Sequence, residues 1–162
     1  DSGACTECPT GLRCFGNEQV EPVVVNSTWI EQDGRYVLQA CPKGYHKRVE
    51  SATVQECEPC GPGTECPQGN CDDSCTACKP GSFKGSSGVQ DCSLCPANTY
   101  GPDTGAVSIS HCIACPRFAT TDGKGHASSS ACTCDARYFT NTLNINDPCT
   151  ECPAGARCED GN

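Results

Sequence analysis

Hydrophobic and polar positions alternate over only one long stretch of this chain, "PVVVNSTWIEQDGRYVLQ" at residues 22–39. A period of two places Val23, Val25 and Trp29 on one face and Val24, Asn26, Thr28 and Ile30 on the other. Asp33-Gly34 interrupts the run with a dipeptide suited to a two-residue turn, so the pattern predicts a β-hairpin. Pro22 stands at the start of the run, where a strand tolerates the missing N–H. Elsewhere apolar residues are sparse and keep no 3.6-residue period. With 17 Gly and 12 Pro, little or no helix is expected.

Cysteine takes over where the alternation stops. Five segments open on Cys, carry an aromatic a few residues on, and close on Cys after a Gly/Ser/Thr-rich stretch: Cys41–Cys57, Cys78–Cys92, Cys95–Cys112, Cys115–Cys132 and Cys134–Cys149. The aromatics are Tyr45, Phe83, Tyr100, Phe118 and the pair Tyr138 and Phe139. Each segment suits a small two-stranded loop closed by its own disulfide, with the aromatic packed on the cystine. In series they make a repeat architecture whose units touch mainly their neighbours.

A second motif, "CPTGLRC" at 8–14, "CGPGTEC" at 60–66 and "CPAGARC" at 152–158, suggests the tight pairs Cys8–Cys14, Cys60–Cys66 and Cys152–Cys158. "CDDSC" then leaves Cys71 with Cys75, although an interlocked pairing among Cys60, Cys66, Cys71 and Cys75 satisfies the spacing as well. The expected organisation is a cap motif at 1–14, the hairpin region at 15–40, Cys-rich loops at 41–74, disulfide-loop repeats at 75–149 and the start of another motif copy at 150–162.

Composition fixes the class. Nineteen Cys in 162 residues is about 12%, the level of a disulfide scaffold. One Trp, four Tyr and four Phe cannot alone offset a conformational entropy of ~1.5 kcal/mol per ordered residue. Disulfides, at ~2–4 kcal/mol each, must supply the difference, and they persist in oxidising space. The expected location is therefore extracellular or at the cell surface. The net charge of −9 argues against nucleic acid and anionic membrane, and no apolar run reaches a membrane span. A chain with no Met and no signal peptide is expected to be a processed form or a segment of something longer.

The pairing above uses 18 cysteines and leaves Cys5. "CTECPTGLRC" at 5–14 returns as "CTECPAGARC" at 149–158, with eight of ten positions identical at an offset of 144 residues. Cys5 thus corresponds to Cys149, a closing cysteine. It is expected to reach a partner in another chain or repeat, with a free thiol as the alternative.

"CPANTYGPDTGAVSISHCIACP", "CKPGSFKGSSGVQDCSLCP" and "TTDGKGHASSSACTC" resemble the Cys-rich GCC2/GCC3, or ephrin-receptor-like, repeats, and are similar in style to the rods of tumour-necrosis-factor receptors. The resemblance covers 75–158 well and 41–66 more loosely, and leaves the hairpin outside. It implies an elongated extracellular rod of a kind common on protist and algal surfaces, used as spacer, adhesin, filament or receptor stalk. "CPRFAT" lacks the usual Gly and "CTC" replaces CxxC at 132–134.

Chemistry other than disulfides finds little footing. Six CxxC pairs could suggest zinc, but the stretches between them have disulfide-loop lengths, and no helix start supports a redox role. His46, His111 and His126 are dispersed with no nucleophile organised beside them, so no enzymatic activity is expected. Asp72 and Asp73 are adjacent acids without a calcium-loop pattern, which reads as a solvated turn, with calcium as the weaker alternative. No cofactor is expected beyond glycan. Asn26-Ser27-Thr28 is an N-glycosylation sequon, and "GSSG" and "ASSSA" are either O-glycan sites or flexible turn tips.

A two-stranded sheet alone is marginal in water. The hairpin is therefore expected to meet a neighbouring module or a second copy through Val23, Val25, Trp29, Ile30 and Tyr36, the alternative being that it folds back on the chain's own loops. The functional expectation is a structural protein, one subunit or period of an extracellular filament or surface array whose partners are copies of itself. A receptor or adhesin ectodomain binding a protein ligand is the rival reading.

Overall fold

The computed structural model describes residues 6–16, 19–72, 74–141, 148–156 and 158. The chain forms two compact units, Asp1–Ala77 with Ser86–Asp91 and Cys78–Gly85 with Cys92–Asn162. Sixteen short strands form eight two-stranded antiparallel sheets among the described residues, and the helical content is two single 3-10 turns.

The first unit holds β1 (Leu12–Cys14), β2 (Val20–Pro22), β3 (Thr28–Gln32), β4 (Arg35–Ala40), β5 (Tyr45–Val49), β6 (Gln55–Pro59), β7 (Thr64–Glu65) and β8 (Thr76–Ala77). The second holds β9 (Ser82–Phe83), β10 (Ser93–Leu94), β11 (Thr99–Tyr100), β12 (Ile113–Ala114), β13 (Ala119–Thr120), β14 (Thr133–Cys134), β15 (Tyr138–Thr140) and β16 (Cys149–Glu151). Its 3-10 turns, Ile109–His111 and Ser129–Ala131, are each capped by a serine hydroxyl, Ser108 or Ser128, accepting from the N–H two residues on.

The sequence repeat becomes a repeat of register. From β5–β6 to β15–β16, the fourth residue after an opening Cys pairs with the second residue after the closing Cys. Tyr45 faces Pro59, Thr64 faces Ala77, Ser82 faces Leu94, Thr99 faces Ala114, Ala119 faces Cys134 and Tyr138 faces Glu151. A turn sets the register. The N–H of that fourth residue donates to the carbonyl of the first in Tyr45→Pro42, Thr64→Gly61, Ser82→Lys79, Ala119→Pro116 and Tyr138→Asp135. The third residue is left-handed throughout: Gly44, Gly63, Gly81, Asn98, Phe118 and Arg137, with φ between 61° and 86°. A left-handed third residue makes these type II turns, and Pro62 and Pro80 occupy the preceding position that such turns favour.

Pairing in the 60–75 cluster differs from the expected tight loops. Cys60 bonds Cys75 and Cys66 bonds Cys71, so the shorter loop is nested inside the longer one, neither tight-paired nor interlocked. The turn explains it. β7 starts four residues after Cys60 and β8 directly follows Cys75, so Cys60 and Cys75 are the opening and closing cysteines of one more rung. That rung has a separation of 15, inside the 14–17 of the others, and "CPQGNC" is an insertion within it. The remaining bridges are Cys8–Cys14, Cys41–Cys57, Cys78–Cys92, Cys95–Cys112, Cys115–Cys132, Cys134–Cys149 and Cys152–Cys158. Cys5 lies outside the described residues.

Successive rungs are zipped by backbone hydrogen bonds. The left-handed residue's carbonyl accepts from the next opening Cys in Cys60→Gly44, Cys95→Gly81, Cys115→Asn98 and Cys152→Arg137. At the "CTC" irregularity Asp135 N–H supplies the bond to Phe118 in place of the cysteine, and the register survives. The opening Cys carbonyl in turn accepts from the following loop, in Asn70→Cys41, Gly88→Cys60, Gly105→Cys78 and Gly125→Cys95. The most deeply buried side chains are half-cystines: Cys60, Cys66, Cys78 and Cys95 are at most 1% exposed. Phe118 stacks on Tyr138 with centroids 4.2 Å apart, and the Arg117 guanidinium lies over Phe118.

Phe118 and Arg137 hold a backbone conformation that costs an L-residue ~1–2 kcal/mol. Phe118 has its stack and Arg137 is exposed. Arg137→Gly is therefore expected to raise the unfolding free energy by about 1 kcal/mol, measured by thermal or denaturant melts; a neutral or destabilising result contradicts the turn geometry.

Candidate functional site

Among the described residues, the cluster of buried apolar side chains lies in the first unit. Leu38, Cys41 and Cys57 are buried together, with Val24, Trp29 and Tyr45 packed against them. The hairpin β3–β4 reaches this cluster because Asp33 and Gly34 are both left-handed, the two-residue turn that matches strand twist. A bulge between Thr28 and Trp29 ends the regular register.

The expected two-faced strand over 23–30 is not what forms. Val24–Ser27 is a turn: Ser27 donates its N–H and its hydroxyl to Val24 O, at 3.1 and 2.8 Å, and Asn26 is left-handed. The turn breaks the alternation, so Val24 and Trp29 enter the same core while Val23 and Val25 face solvent. Trp29 donates its indole N–H to Ser27 Oγ. Of the five residues expected to make assembly contacts, Val23, Val25 and Ile30 are exposed, Trp29 belongs to the core, and Tyr36 lines a separate cleft. The hairpin folds back on the chain's own rung.

Gln55 makes that folding possible. It is 3% exposed, its Oε1 accepts from Leu38 N–H at 2.9 Å, and its Nε2 donates to Tyr36 O and Ala52 O at 3.1 and 2.7 Å. One carboxamide thus satisfies the edge of β4 as a neighbouring strand would. Among the described residues no strand fills the space beside that edge, and a cleft of about 600 Å³ opens there, lined by Gln32, Asp33, Arg35, Tyr36, Val37, Val49, Ser51, Ala52 and Gln55. A smaller depression of 330 Å³ shares Arg35, Tyr36 and Ala52 and adds Thr6, Glu7, Pro9 and Thr53. Val49 is 54% exposed at its edge. Nearby, Glu50 and Glu56 bracket Arg48 at 2.6 and 3.1 Å, and hydrogen bonding to Glu50 raises the guanidinium's pKa. The cleft offers apolar surface, a cation and several hydrogen-bonding groups.

The other sequence candidates stay apart. His46, His111 and His126 sit in three different rungs, each beside an acid of its own rung: Glu58 at 3.8 Å, Asp103 at 2.9 Å and Asp122 at 2.9 Å. Asp72 pairs with Lys47 at 3.1 Å, while Asp73 lies outside the described residues. Among the described residues no group of three or more His, Cys, Asp or Glu could hold a metal ion, and no helix is long and apolar enough to cross a membrane. Nothing in "RVESATVQEC" at 48–57 marks Val49 or Gln55 as cleft-lining, and Arg35 stands directly after the Asp33-Gly34 turn with no pattern to set it apart.

Asn26 is exposed in its turn. In a eukaryotic secretory host the expected result is one N-glycan, lost by enzymatic deglycosylation and by Thr28→Val, read by intact mass; an unmodified Asn26 peptide contradicts it.

Residues 68–112 match the family described as tyrosine-protein kinase ephrin type A/B receptor-like. The matched segment runs from within "CPQGNC" to the closing Cys112, through two whole rungs. No curated protein matches the chain. The chain thus carries Cys-rich repeats similar to those of that receptor family, and its nine disulfides belong with an extracellular or secreted protein.

Proposed function

We propose that the chain is an extracellular receptor- or adhesin-type module in which GCC2/GCC3-like rungs are the scaffold and the first unit's cleft is the recognition surface. The cleft beside β4 carries this reading, because Gln55 completes the edge hydrogen bonds and leaves Tyr36, Val37 and Val49 facing an open concavity. Such a wall, with Arg35 at its rim, holds an extended protein segment by apolar contact with these side chains and polar contact with Arg35. The likeness to ephrin-receptor-like repeats supports an ectodomain.

The test is binding of the labelled chain to intact cells or matrix of its source, compared with Val49→Asp. Val49 is exposed, so the substitution spares the fold. At least a tenfold loss of saturable binding is expected (about 1.4 kcal/mol). Equal binding by the two proteins counts against the cleft.

A structural array remains the second reading. One observation favours it: the motif at 5–14 returns at 149–158, with Cys8–Cys14 and Cys152–Cys158 each closing a separation of 6. Negative-stain images of native material then show fibres with a regular axial repeat; dispersed particles at high concentration oppose it.

A further inference from the structure

We propose that the Cys60–Cys75 bridge is a thiol-exchange site, at which His46 takes the proton of a small thiol as its sulfur attacks Cys75 Sγ. The inference goes beyond the recognition surface and rests on neither the cleft nor the array.

The insertion "CPQGNC" builds the site. Lys47 N–H donates to Cys71 O at 2.9 Å, and His46 forms a parallel bridge with Cys71, so the end of the insertion is pinned to β5. The chain then closes the rung at Cys75, whose Sγ lies 3.6 Å from His46 Nδ1. On the other side of the ring stands Glu58, the cross-strand partner of His46 in β6, with Oε2 3.8 Å from Nε2. A carboxylate before Nε2 keeps the proton on that nitrogen, so the Nδ1 lone pair faces the sulfur. The neighbouring charges, Lys47 and Asp72, pair with each other at 3.1 Å.

The two sulfurs are not equivalent. Cys60 is 0% exposed, whereas Cys75 is partly exposed and the His46 side chain is 21% exposed. Exchange begins at the sulfur a thiol can reach, so Cys75 is attacked and Cys60 leaves. The narrow access suits a small thiol such as glutathione. Near neutral pH such a thiol is ionised only to a few per cent, and a base held at the reacting sulfur removes that limit. The incoming sulfur bonds to Cys75 Sγ as the Cys60–Cys75 bond breaks. The thiol's proton passes to Nδ1 and then to the departing Cys60 sulfur, since a covered thiolate is disfavoured. The products are a mixed disulfide on Cys75 and a thiol on Cys60, with no net oxidation or reduction. Cys66–Cys71 takes no part in the step.

The repeat supplies an internal comparison. The bridge from His46 to Cys71 recurs as Phe83 to Ala106 and Tyr100 to His126, so the fifth residue after the opening Cys holds the same place in three rungs. His46 stands in the rung before Cys60–Cys75, and Phe83 in the rung before Cys95–Cys112. Cys95 is 1% exposed and Cys112 partly exposed, the same disposition without an imidazole at the matching place. His111 directs its Nδ1 to Asp103 at 2.9 Å.

The probe is glutathione, added under native conditions to the full chain carrying Cys5→Ser so that no odd thiol competes. Exchange is stopped with acid, free thiols are alkylated and peptides are mapped by mass. Near neutral pH a glutathione adduct on Cys75, with Cys60 alkylated, is expected roughly tenfold sooner than an adduct on Cys112. That lead should shrink severalfold by about pH 9, where the thiol ionises unaided. His46→Gln should slow the Cys75 reaction about tenfold, while opening of the same bridge by a water-soluble phosphine, which has no proton to lose, stays within about twofold. Equal rates at Cys75 and Cys112, or a lead that pH leaves unchanged, overturn the proposal. Equal slowing of thiol and phosphine in His46→Gln overturns it too, because the ring then only shapes access. Should His46→Gln not fold, the pH dependence of the lead in the unsubstituted His46 protein decides alone.

Discussion

Gly81→Ala is expected to destabilise the second unit by about 3 kcal/mol or more. Two costs combine at this position. Gly81 has φ 85°, a conformation that costs an alanine ~1–2 kcal/mol. Its Cβ would also lie within 3 Å of the backbone of Gly125, which belongs to the next rung but one. The rungs are held there by Gly81 N–H to Gly101 O and Cys95 N–H to Gly81 O, at 2.7 and 2.8 Å, so neither backbone can retreat without losing bonds. Gly34→Ala is the matched control. Gly34 has φ 73° with nothing within 4 Å of its Cβ, so it carries the conformational cost alone, about 1 kcal/mol. Denaturant melts under non-reducing conditions measure both. Hydrogen exchange should show the amides of Gly101 and Gly125 losing protection in Gly81→Ala and keeping it in Gly34→Ala. Equal costs for the two substitutions mean that the rungs do not approach as closely as described.

Gln55→Ala is expected to lower the stability of the first unit by about 3 kcal/mol, a large share of a small unit's total. The substitution strands Leu38 N–H, Tyr36 O and Ala52 O. A buried polar group that loses its partner costs ~1–3 kcal/mol, and the value here is held down by water entering the adjoining cleft. Gln55→Glu separates hydrogen bonding from size. A carboxylate still accepts from Leu38 N–H but cannot donate to the two carbonyls, so it is expected to be nearly as damaging at neutral pH. Part of the loss should be recovered at acidic pH, where the protonated acid regains one donor. Melts across that range check the sign; a Glu variant as stable as the parent at neutral pH contradicts the assigned amide orientation.

How far the sequence carried depended on whether a feature was set by local turn chemistry or by a distant partner. The loops closed by Cys78–Cys92, Cys95–Cys112, Cys115–Cys132 and Cys134–Cys149 follow from spacing, because each cystine closes a hairpin whose turn is encoded beside its opening cysteine. The hairpin turn at Asp33-Gly34 is local in the same way. The Cys60–Cys75 rung is encoded in the same way. "CEPC" and "CTAC" flank it as spacers flank the others, but "CPQGNC" supplied two extra cysteines that mimic tight pairs. The misplaced strand at 23–26 has a different cause. Alternation favoured extension, and the Ser27-to-Val24 bonds with a left-handed Asn26 outweighed it. The cleft was not legible at all. It exists because Gln55, 17 residues from Leu38 in sequence, substitutes for a strand at the edge of β4. No periodicity in either segment records that contact.

The repeating rung is the element on which the rest depends, since it fixes the register of six hairpins and builds the rung on which the hairpin and cleft are seated. Its most direct test is the disulfide map of the chain, purified with thiols blocked at low pH and digested without reduction. Cleavage is needed between Cys60 and Cys66, between Cys66 and Cys71, and between Cys71 and Cys75, with partial acid hydrolysis supplying cuts that proteases cannot. The nested rung predicts peptides joined as Cys60–Cys75 and Cys66–Cys71. Peptides joined as Cys60–Cys66 and Cys71–Cys75 would break the ladder at its second rung and contradict the account.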